Sequence, residues 1–385
     1  MLTERQTEVL KVWNESGQSP KQASEELGIN IYNLQKNLFR IAMKGVKISP
    51  ATFCEDLPAG WGMTKTTIQR RLNKETGELE VVGDWPRGAP LEENYEQIFE
   101  YIKSRVPISP VNFSKPCGVD PKIQLEWTLA DIHYGMLAWR KETGEDYDIK
   151  IARNLILDSA SDIFSRAGKV KQTVLVLMGD NFHTDFFDAR TENSKRSLDV
   201  DTRFPKMTKT GVEAYMSAVE ICLQYSEKVK VIVLYGNHDK QTSSSTLPLF
   251  LYAWFRNEPR VVIDEWFAKA HYNHWGCVST VYHHGDGTTK QRLCGDFQNY
   301  MVKLGRPNVR QLYAKQAHLH KELIEDINGV TYEIVPSPVA RDSFTVGGSY
   351  TAKRATVATM YHKEYGELDR YSITPQALKL KRENL

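Results

Sequence analysis

The sequence predicts an α/β protein, in which a covered sheet flanked by helices follows a small helical domain and a β-hairpin. From residue 123 onward, apolar segments of strand length alternate with longer segments of helical character, the pattern of a sheet with helices packed against it. The clearest boundary lies just before, where Pro107, Pro110, Pro116 and Pro121 punctuate the chain. We therefore predict three parts, residues 1–50, 51–122 and 123–385.

The composition leaves the class of partner open. A formal net charge of +2 over 385 residues excludes neither nucleic acid nor a small-molecule substrate. No apolar run approaches the ~18–20 residues of a membrane span, and the amino terminus lacks the apolar core of a signal peptide. The five cysteines are scattered without a C-x-x-C pair, which disfavours a thiolate-held zinc site. We expect a cytoplasmic protein with free thiols and no membrane partner.

Residues 1–50 are predicted to form three short helices. Ser19 and Pro20 begin the second helix, Gly28 permits a tight turn, and Asn30 caps the third helix. A helix, a glycine turn and another helix form the helix-turn-helix pattern. This segment resembles the DNA-binding segments of LuxR-type regulators and of sigma-factor-like domains.

The third helix is predicted to carry a basic face. Lys36, Arg40 and Lys44 recur every four positions, which places them on one side of the helix. There they would meet the phosphates of DNA, the expected partner. The alternatives are a solvated face on a packing module or a domain that docks a protein.

Residues 51–122 are predicted to connect the two larger parts. The stretch "TTIQRRLNKETGELEVVGDW" has the pattern of a β-hairpin with its turn near Thr76 and Gly77. It is interpreted either as a wing beside the helix-turn-helix or as a spacer. The stretch "LEENYEQIFEYIKSRV" reads as an amphipathic helix and leads into the proline-rich linker.

The third part alternates strands and helices. The strands are "IQLEWTLA", "TVLVLM" and "VKVIVLY", with helices predicted at about Ile149–Arg166 and Lys206–Ser226. Later strands are expected in "GCVSTVYHH" and "VRQLYAKQAHLH". The segments "TYEIVPSP" and "TVATMYH" are expected to complete a second sheet.

Polar side chains follow the ends of these strands, where ligands gather in α/β sheets. They are Asp131, His133, Asp180, Asn181, His183, Asn237, His238, Asp239, His283, His284, Asp286, His318 and His320. Carboxylate, amide and imidazole ligands without thiolates suit Mn, Fe, Zn or Ni. The sequence therefore predicts a metal site at these strand ends.

In the order D-x-H, G-D, G-N-H-D, H-G and H-x-H, these blocks resemble the calcineurin-like metallophosphoesterase superfamily over about residues 123–340. The resemblance implies a β-sandwich flanked by helices, with αββα layers. The stretches "GDNFHTD", "LDVDTRF" and "GNHDKQTSSSTL" resemble a bacteriophage-encoded variant that tends to carry an amino-terminal helix-turn-helix. That implies a protein of the host cytoplasm.

The resemblance also implies two divalent cations, with Mn first and Fe, Zn or Ni as alternatives. The first would be held by Asp131, His133, Asp180 and His320, and the second by Asp180, Asn237, His284 and His318. Asp180 would bridge the cations. We interpret the spacing of D-x-H and H-x-H as letting both side chains project the same way from an extended segment. His284 is chosen over His283 because it directly precedes Gly285.

Three further residues are implied in catalysis. His238 would protonate the leaving oxygen, Asp239 would orient the His238 imidazole, and His183 would contact phosphate or act as a second acid. The expected function is hydrolysis of nucleic acid by a metal-activated hydroxide. The alternatives are a phosphomonoesterase or small-molecule phosphodiesterase whose amino-terminal domain docks DNA or a protein, and a DNA-binding regulator with a vestigial enzyme domain.

Overall fold

The computed structural model describes residues 2–15, 20–42, 61–72, 79–90, 108–109, 114–190, 197–264, 268–347 and 352–384. The chain divides into two compact units, Met1–Tyr101 and Ile102–Leu385. The division into three parts stays a prediction. Of the described helices, none combines the length and the apolarity that crossing a membrane requires.

The first unit begins with the three predicted helices, α1 (Glu4–Glu15), α2 (Pro20–Glu26) and α3 (Ile31–Ala42). Asn30 caps α3 by accepting a hydrogen bond from the backbone N–H of Asn33 at 2.8 Å, as its position before the helix predicted. The three helices meet in one small core, formed by Val9, Trp13, Ala23, Leu34, Leu38 and Ile41.

The predicted hairpin strands are also present in this unit. Strands β1 (Trp61–Leu72) and β2 (Leu79–Pro90) pair antiparallel, with irregularities in register after Met63 and Gln69. The predicted turn at Thr76 and Gly77 and the amphipathic helix before the prolines lie outside the described residues.

The second unit contains two sheets. The six-stranded sheet has parallel strands β3 (Ile123–Leu129), β4 (Val170–Met178), β5 (Ser226–Leu234) and β6 (Val261–Ile263), with the antiparallel strands β12 (Thr356–His362) and β13 (Gly366–Ile373) beyond β3. The five-stranded sheet has the order β10-β11-β9-β8-β7. Its strands are β7 (Ala270–Trp275), β8 (Val278–His283), β9 (Gln311–Gln316), β10 (Leu323–Ile327) and β11 (Val330–Ile334).

Helices cover the outer faces of both sheets. On the six-stranded sheet lie α5 (Ile149–Ala167), α6 (Phe204–Tyr225) and α7 (Leu247–Phe255), with α10 (Pro375–Glu383) against α5, and on the five-stranded sheet lies α8 (Lys290–Leu304). The short helices α4 (Arg140–Thr143) and α9 (Ser343–Gly347) contact each other. On the six-stranded sheet, Trp127 packs edge-on against Phe164 of α5, with ring centroids 6.4 Å apart. On the other sheet, Phe297 of α8 is buried with Tyr332 of β11.

The inner faces of the two sheets share a core. Val176 and Ile232 of the six-stranded sheet are fully buried in one cluster with Tyr282 of the five-stranded sheet. The layers therefore run helix, sheet, sheet, helix, and the predicted αββα arrangement is confirmed.

One strand lies in a different sheet from the one predicted. Thr356–His362 was expected to complete the second sheet, but it pairs antiparallel with Ile123–Leu129 in the six-stranded sheet. Every residue of this strand is buried. Because burial on both faces leaves no alternation in the sequence, local pattern does not say which sheet the strand joins.

A buried charge cluster also lies between the sheets. Lys315 of β9 places its Nζ 2.6 Å from Glu126 of β3 and 3.2 Å from Glu333 of β11. All three side chains are at most 1% exposed. Arg370 of β13 also pairs with Glu333, and the Tyr282 hydroxyl donates to Glu126.

Replacing Lys315 with Met is expected to destabilise the protein by ~3–5 kcal/mol, because two buried carboxylates lose their common partner. Urea denaturation of the full chain would measure this, with Lys379→Met as the control. The pair of Lys379 with Glu383 is exposed on both sides, so the control should stay within ~0.5 kcal/mol. Equal stability of Lys315→Met and wild type would contradict the role given to the cluster.

The pKa of Glu333 makes the destabilisation by Lys315→Met depend on pH. Burial alone would raise the pKa of Glu333, but Lys315 and Arg370 hold it below its ordinary value of 4.5. That stabilisation is present above pH 4.5 and is lost as the pH falls through the folded-state pKa. Removing Lys315 takes away part of what lowers the pKa of Glu333, so this carboxylate takes up its proton at higher pH. The deficit of Lys315→Met should therefore shrink when unfolding is repeated in acid.

Candidate metal centre

The predicted strand-end segments converge at one edge of the two sheets. They follow β3, β4 and β5 of one sheet, which run parallel, and β8 and β9 of the other, which also run parallel. The loops bond to one another directly. The N–H of His133 donates to the carbonyl of Asp180 at 2.8 Å, and that of Ala317 donates to the carbonyl of His284 at 2.9 Å.

Among the described residues, three groups of potential metal ligands form there, one of them His133, His183 and His238, and the other two consist of predicted metal ligands. Of those two, the first contains Asp131, His133 and His320, and the second contains Asp180, His284 and His318. Within each group, one ligand atom from every residue lies within 4.8 Å of the others. Each of these two groups contains three of the four ligands predicted for one cation. The fourth is Asp180 for the first cation and Asn237 for the second.

Asp180 faces both groups with the same oxygen. Its Oδ2 lies 3.8 Å from Nε2 of His133 in one group and 3.3 Å from Nε2 of His284 in the other. Its second oxygen, Oδ1, accepts a hydrogen bond from the N–H of His238 at 2.9 Å, which fixes the carboxylate. Asp180 therefore occupies the position that a bridging ligand requires.

The amide of Asn237 belongs to the second group. Its Oδ1 lies 3.4 Å from Nε2 of His284, the atom that also faces Asp180. On the other side of the ring, Nδ1 of His284 lies 2.9 Å from the carbonyl oxygen of Met178. A carbonyl only accepts, so Nδ1 carries the proton and Nε2 is directed to the ligand position. The neighbouring His283 instead accepts from the N–H of Gly285 with its Nδ1, at 2.8 Å.

The backbone at the ligands is left-handed rather than extended. Five predicted ligands have positive φ: Asp131 (50°), His133 (44°), Asp180 (47°), His318 (69°) and His320 (47°). The interpretation of D-x-H and H-x-H as extended segments was therefore wrong. This conformation costs a non-glycine residue ~1–3 kcal/mol and persists where the surroundings impose it.

Glycine is required at two positions because side chains of predicted ligands lie close to the backbone there. A Cβ on Gly236 would lie 2.0 Å from Oδ1 of Asp180, and one on Gly179 would lie 2.6 Å from Nδ1 of His284. Gly179 also has a φ of 88°. The glycines of the G-D and G-N-H-D blocks therefore make room for ligand side chains.

Burial and the neighbouring charges shift the pKa values of the predicted ligands. Burial lowers the pKa of His284, but the Asp180 carboxylate outweighs it and raises that pKa to about 10. Burial raises the pKa of Asp180, and the histidines, His284 above all, bring it well below its usual range. Burial and neighbouring imidazoles keep the pKa of His133 well below 6.5.

This set of donors fits two divalent cations. Each group offers imidazole nitrogen and carboxylate oxygen at short range, and neither contains a thiol. Such ligands suit Mn, Fe or Zn better than a metal that prefers sulfur. The shared Asp180 oxygen fits a pair of cations better than two separate ions.

His238 lies against the first group and is oriented by a carbonyl. Its Nδ1 is 2.9 Å from the backbone oxygen of His183, and its ring centroid is 4.8 Å from that of His133. Because the carbonyl accepts, Nδ1 donates and Nε2 is left to interact with substrate. The ring of His183 stacks on that of His238 at 5.5 Å, and its Nδ1 lies 3.2 Å from Nδ1 of His133.

Asp239 does not have the predicted role of orienting His238. Its two oxygens accept hydrogen bonds from four backbone N–H groups and one hydroxyl. The donors are the amides of Asp180, Asn181, Phe182 and Gly236, and Oγ of Ser243. Asp239 is fully buried, and burial raises its pKa to about 6. It therefore organises the two loops that carry Asp180 and His238.

Sequence reasoning missed the contacts that support these residues. Besides the carbonyl of His183, Asp185 accepts from the N–H of Gln241 at 2.6 Å and from the N–H and hydroxyl of Thr242 at 2.9 and 2.6 Å. Apart from the Thr242 hydroxyl, these links use backbone groups, which carry no signature of residue type, so no motif indicated them.

The predicted nucleic-acid-binding residues belong to the first unit. Arg40 lies on α3 and is exposed, as is Asn33 earlier on that helix. Lys36 lies on the same helix, and Lys44 lies outside the described residues. Exposure of Arg40 is what a phosphate contact requires.

Comparisons with known proteins give similar structures and no sequence relative. No family model and no curated protein matches the sequence. An archaeal phosphodiesterase is 12% identical, matching 65% of this chain and 99% of that chain with a TM-score of 0.32. A dimetal phosphatase from Danio rerio is 10% identical, matching 66% of this chain and 99% of that chain with a TM-score of 0.36. A predicted phosphoesterase from Streptococcus pneumoniae is 9% identical, matching 65% of this chain and 98% of that chain with a TM-score of 0.27. Similarity this low carries no functional argument, so function rests on the centre itself.

Proposed function

We propose that this chain is a phosphoesterase of the calcineurin-like metallophosphoesterase superfamily that uses two divalent cations to hydrolyse nucleic-acid phosphodiesters. The observation that carries the proposal is the single Asp180 oxygen between two groups of imidazole and carboxylate ligands. Hydrolysis of phosphate esters is the chemistry to which such paired sites are suited.

The cations would be held by the two groups, with Asp180 between them and Asn237 completing the second. When bound, they would lower the pKa of a water and neutralise charge on the phosphate. With both ring nitrogens protonated, His238 would donate its Nε2 proton to the departing oxygen while its Nδ1–H stays bonded to the carbonyl of His183. Burial of Asp131 and Asp180 keeps bulk water from competing for the ligand oxygens.

A nucleic-acid substrate is supported by the first unit. Its three helices pack as a helix-turn-helix module would, around Trp13 and Leu38, and leave Arg40 exposed on the third helix. A module of this kind would bring the substrate to the chain by phosphate contacts.

The test is a substrate panel with the full chain and Mn²⁺. Single-stranded DNA, duplex DNA, RNA and nitrophenyl phosphate would be offered in parallel, and oligonucleotide cleavage is expected. Release from the monoester alone would contradict a nuclease and favour the phosphomonoesterase alternative. No turnover, with no transition metal in protein purified without chelator, would favour a DNA-binding regulator.

The role of the third helix gives a separate prediction. Arg40→Gln should reduce by about one the slope of log affinity for duplex DNA against log salt, because one phosphate contact is lost. Fluorescence anisotropy at several salt concentrations would measure the slope. Lys11→Gln, an exposed change on α1, is the matched control and should leave the slope unaltered. An unchanged slope for Arg40→Gln would remove α3 from the interface.

A further inference from the structure

Several exposed apolar side chains lie beside the metal centre along the chain. Leu137 is 41% exposed and follows His133 by four residues, and Phe187 is 81% exposed and follows His183 by four residues. Leu319, 49% exposed, lies between the two ligands of the H-x-H block. Large apolar side chains that stay exposed on the loops that carry a polar centre are suited to contact with an apolar part of a ligand.

Phe187 is the most exposed of the three, and the segment that carries it is held at both ends. Before it, Asp185 accepts three hydrogen bonds from Gln241 and Thr242, directly after the G-N-H-D block. After it, the carbonyl of Ala189 accepts from the N–H of Leu198 at 2.8 Å. The ring is therefore presented from a loop fixed to the same strand exit as His238.

The ring of Phe187 is supported from one side and open elsewhere. Among the described residues, the ring of Phe204 at the start of α6 lies against it, with centroids 5.3 Å apart and planes tilted by 54°. The charged residues nearby, Asp188 and Arg190, pair with each other at 3.7 Å. An aromatic face that stays in solvent on a fixed loop is arranged to stack on a planar group.

We propose that Phe187 is a specificity-determining residue that stacks on a nucleobase close to the scissile phosphate. The proposal rests on the proposed function and deepens it, because the bases of the nucleic acid, and not only its phosphodiester backbone, would be recognised. Four residues span at most about 14 Å from His183. Since a nucleotide advances ~3.4 Å along a strand, the stacked base lies within about four nucleotides of the phosphate that is cut.

The experiment compares two oligonucleotides with the same phosphodiester backbone. One is single-stranded DNA with all its bases, and in the other the central bases are replaced by abasic units. Full-length wild type, Phe187→Ala and Phe187→Trp would be assayed with Mn²⁺ for kcat/KM on both. Tyr365→Ala is the control, because Tyr365 is also an exposed aromatic residue (69%) but lies in the turn between β12 and β13.

Phe187→Ala is expected to lower kcat/KM on the base-bearing strand by about 5- to 150-fold, the equivalent of one stacked base. It should leave the abasic strand within about twofold of wild type, Phe187→Trp should retain activity on both strands, and Tyr365→Ala should change neither.

Three results would overturn the proposal. Phe187→Ala could leave both strands unaffected, or it could slow both equally, which would make the residue a support of the loop. Wild type could also cleave both strands equally well, which would mean that no base is bound. If wild type cleaved neither strand but released phosphate from a monoester, the proposed function itself would fail, and stacking with it.

Discussion

Replacing Asp180 with Asn is expected to abolish hydrolysis and to remove both cations. The Oδ2 atom of Asp180 is the one that faces His133 and His284 at once, so its charge stabilises both sites. Asn keeps the shape and still accepts from the N–H of His238 through an oxygen, but it loses the shared negative charge. Loss of several kcal/mol of charge stabilisation corresponds to at least ~10³-fold in rate.

The measurement combines initial rates with elemental analysis of bound metal. Asp188→Asn is the matched control, because it makes the same change at an exposed carboxylate eight residues further along the chain. Its rate and metal content should equal those of wild type. If Asp180→Asn retained two metals per chain and its full rate, the two groups would not form a dinuclear centre.

Replacing His238 with Ala is expected to slow hydrolysis by ~10²–10⁴-fold while both cations stay bound. His238 is absent from the two groups that match the predicted sites, although it forms a third group of potential ligands with His133 and His183. Its Nδ1 is held by a carbonyl, and in this scheme its remaining nitrogen is assigned to the substrate.

The dependence on leaving group tests that assignment. A nitrophenolate departs without a proton, so the defect of His238→Ala should be much smaller on a nitrophenyl diester than on DNA. His274→Gln is the control, because His274 lies on β7 of the other sheet, stacks on Tyr300 of α8 and bonds to Ser279. An equal defect on both esters would exclude proton donation to the leaving oxygen. Loss of metal in His238→Ala would make it a ligand.

The sequence predicted the residues of the centre more fully than the way they are held. Each apolar strand ends in residue types that bind metals, and the carboxyl ends of parallel strands meet at one edge, so Asp131, Asp180 and His284 could be placed together. The structure explains Gly179 and Gly236, since only glycine leaves room where a ligand side chain lies against the backbone.

The rest depended on contacts that residue type does not encode. Positive φ at Asp131 and His318 arises from the loops around them. Asp and His adopt it more often than most residues but still uncommonly, so the residue type alone does not predict it. Asp239 stands next to His238, which favoured a direct contact, yet its carboxylate turns to the amides of Asp180 and Gly236 instead. Similarly, Thr356–His362 is buried on both faces, and only pairing with distant Ile123–Leu129 decides its sheet.

The contacts of Asp239 have a consequence for how the centre is assembled. One carboxylate gathers amides from the exits of β4 and β5, and the hydroxyl of Ser243 as well. The loops that carry the predicted metal ligands are thus held together by hydrogen bonds that involve no cation. A metal ion would therefore bind to ligands that are already positioned, and its binding or release would change the conformation of the centre little.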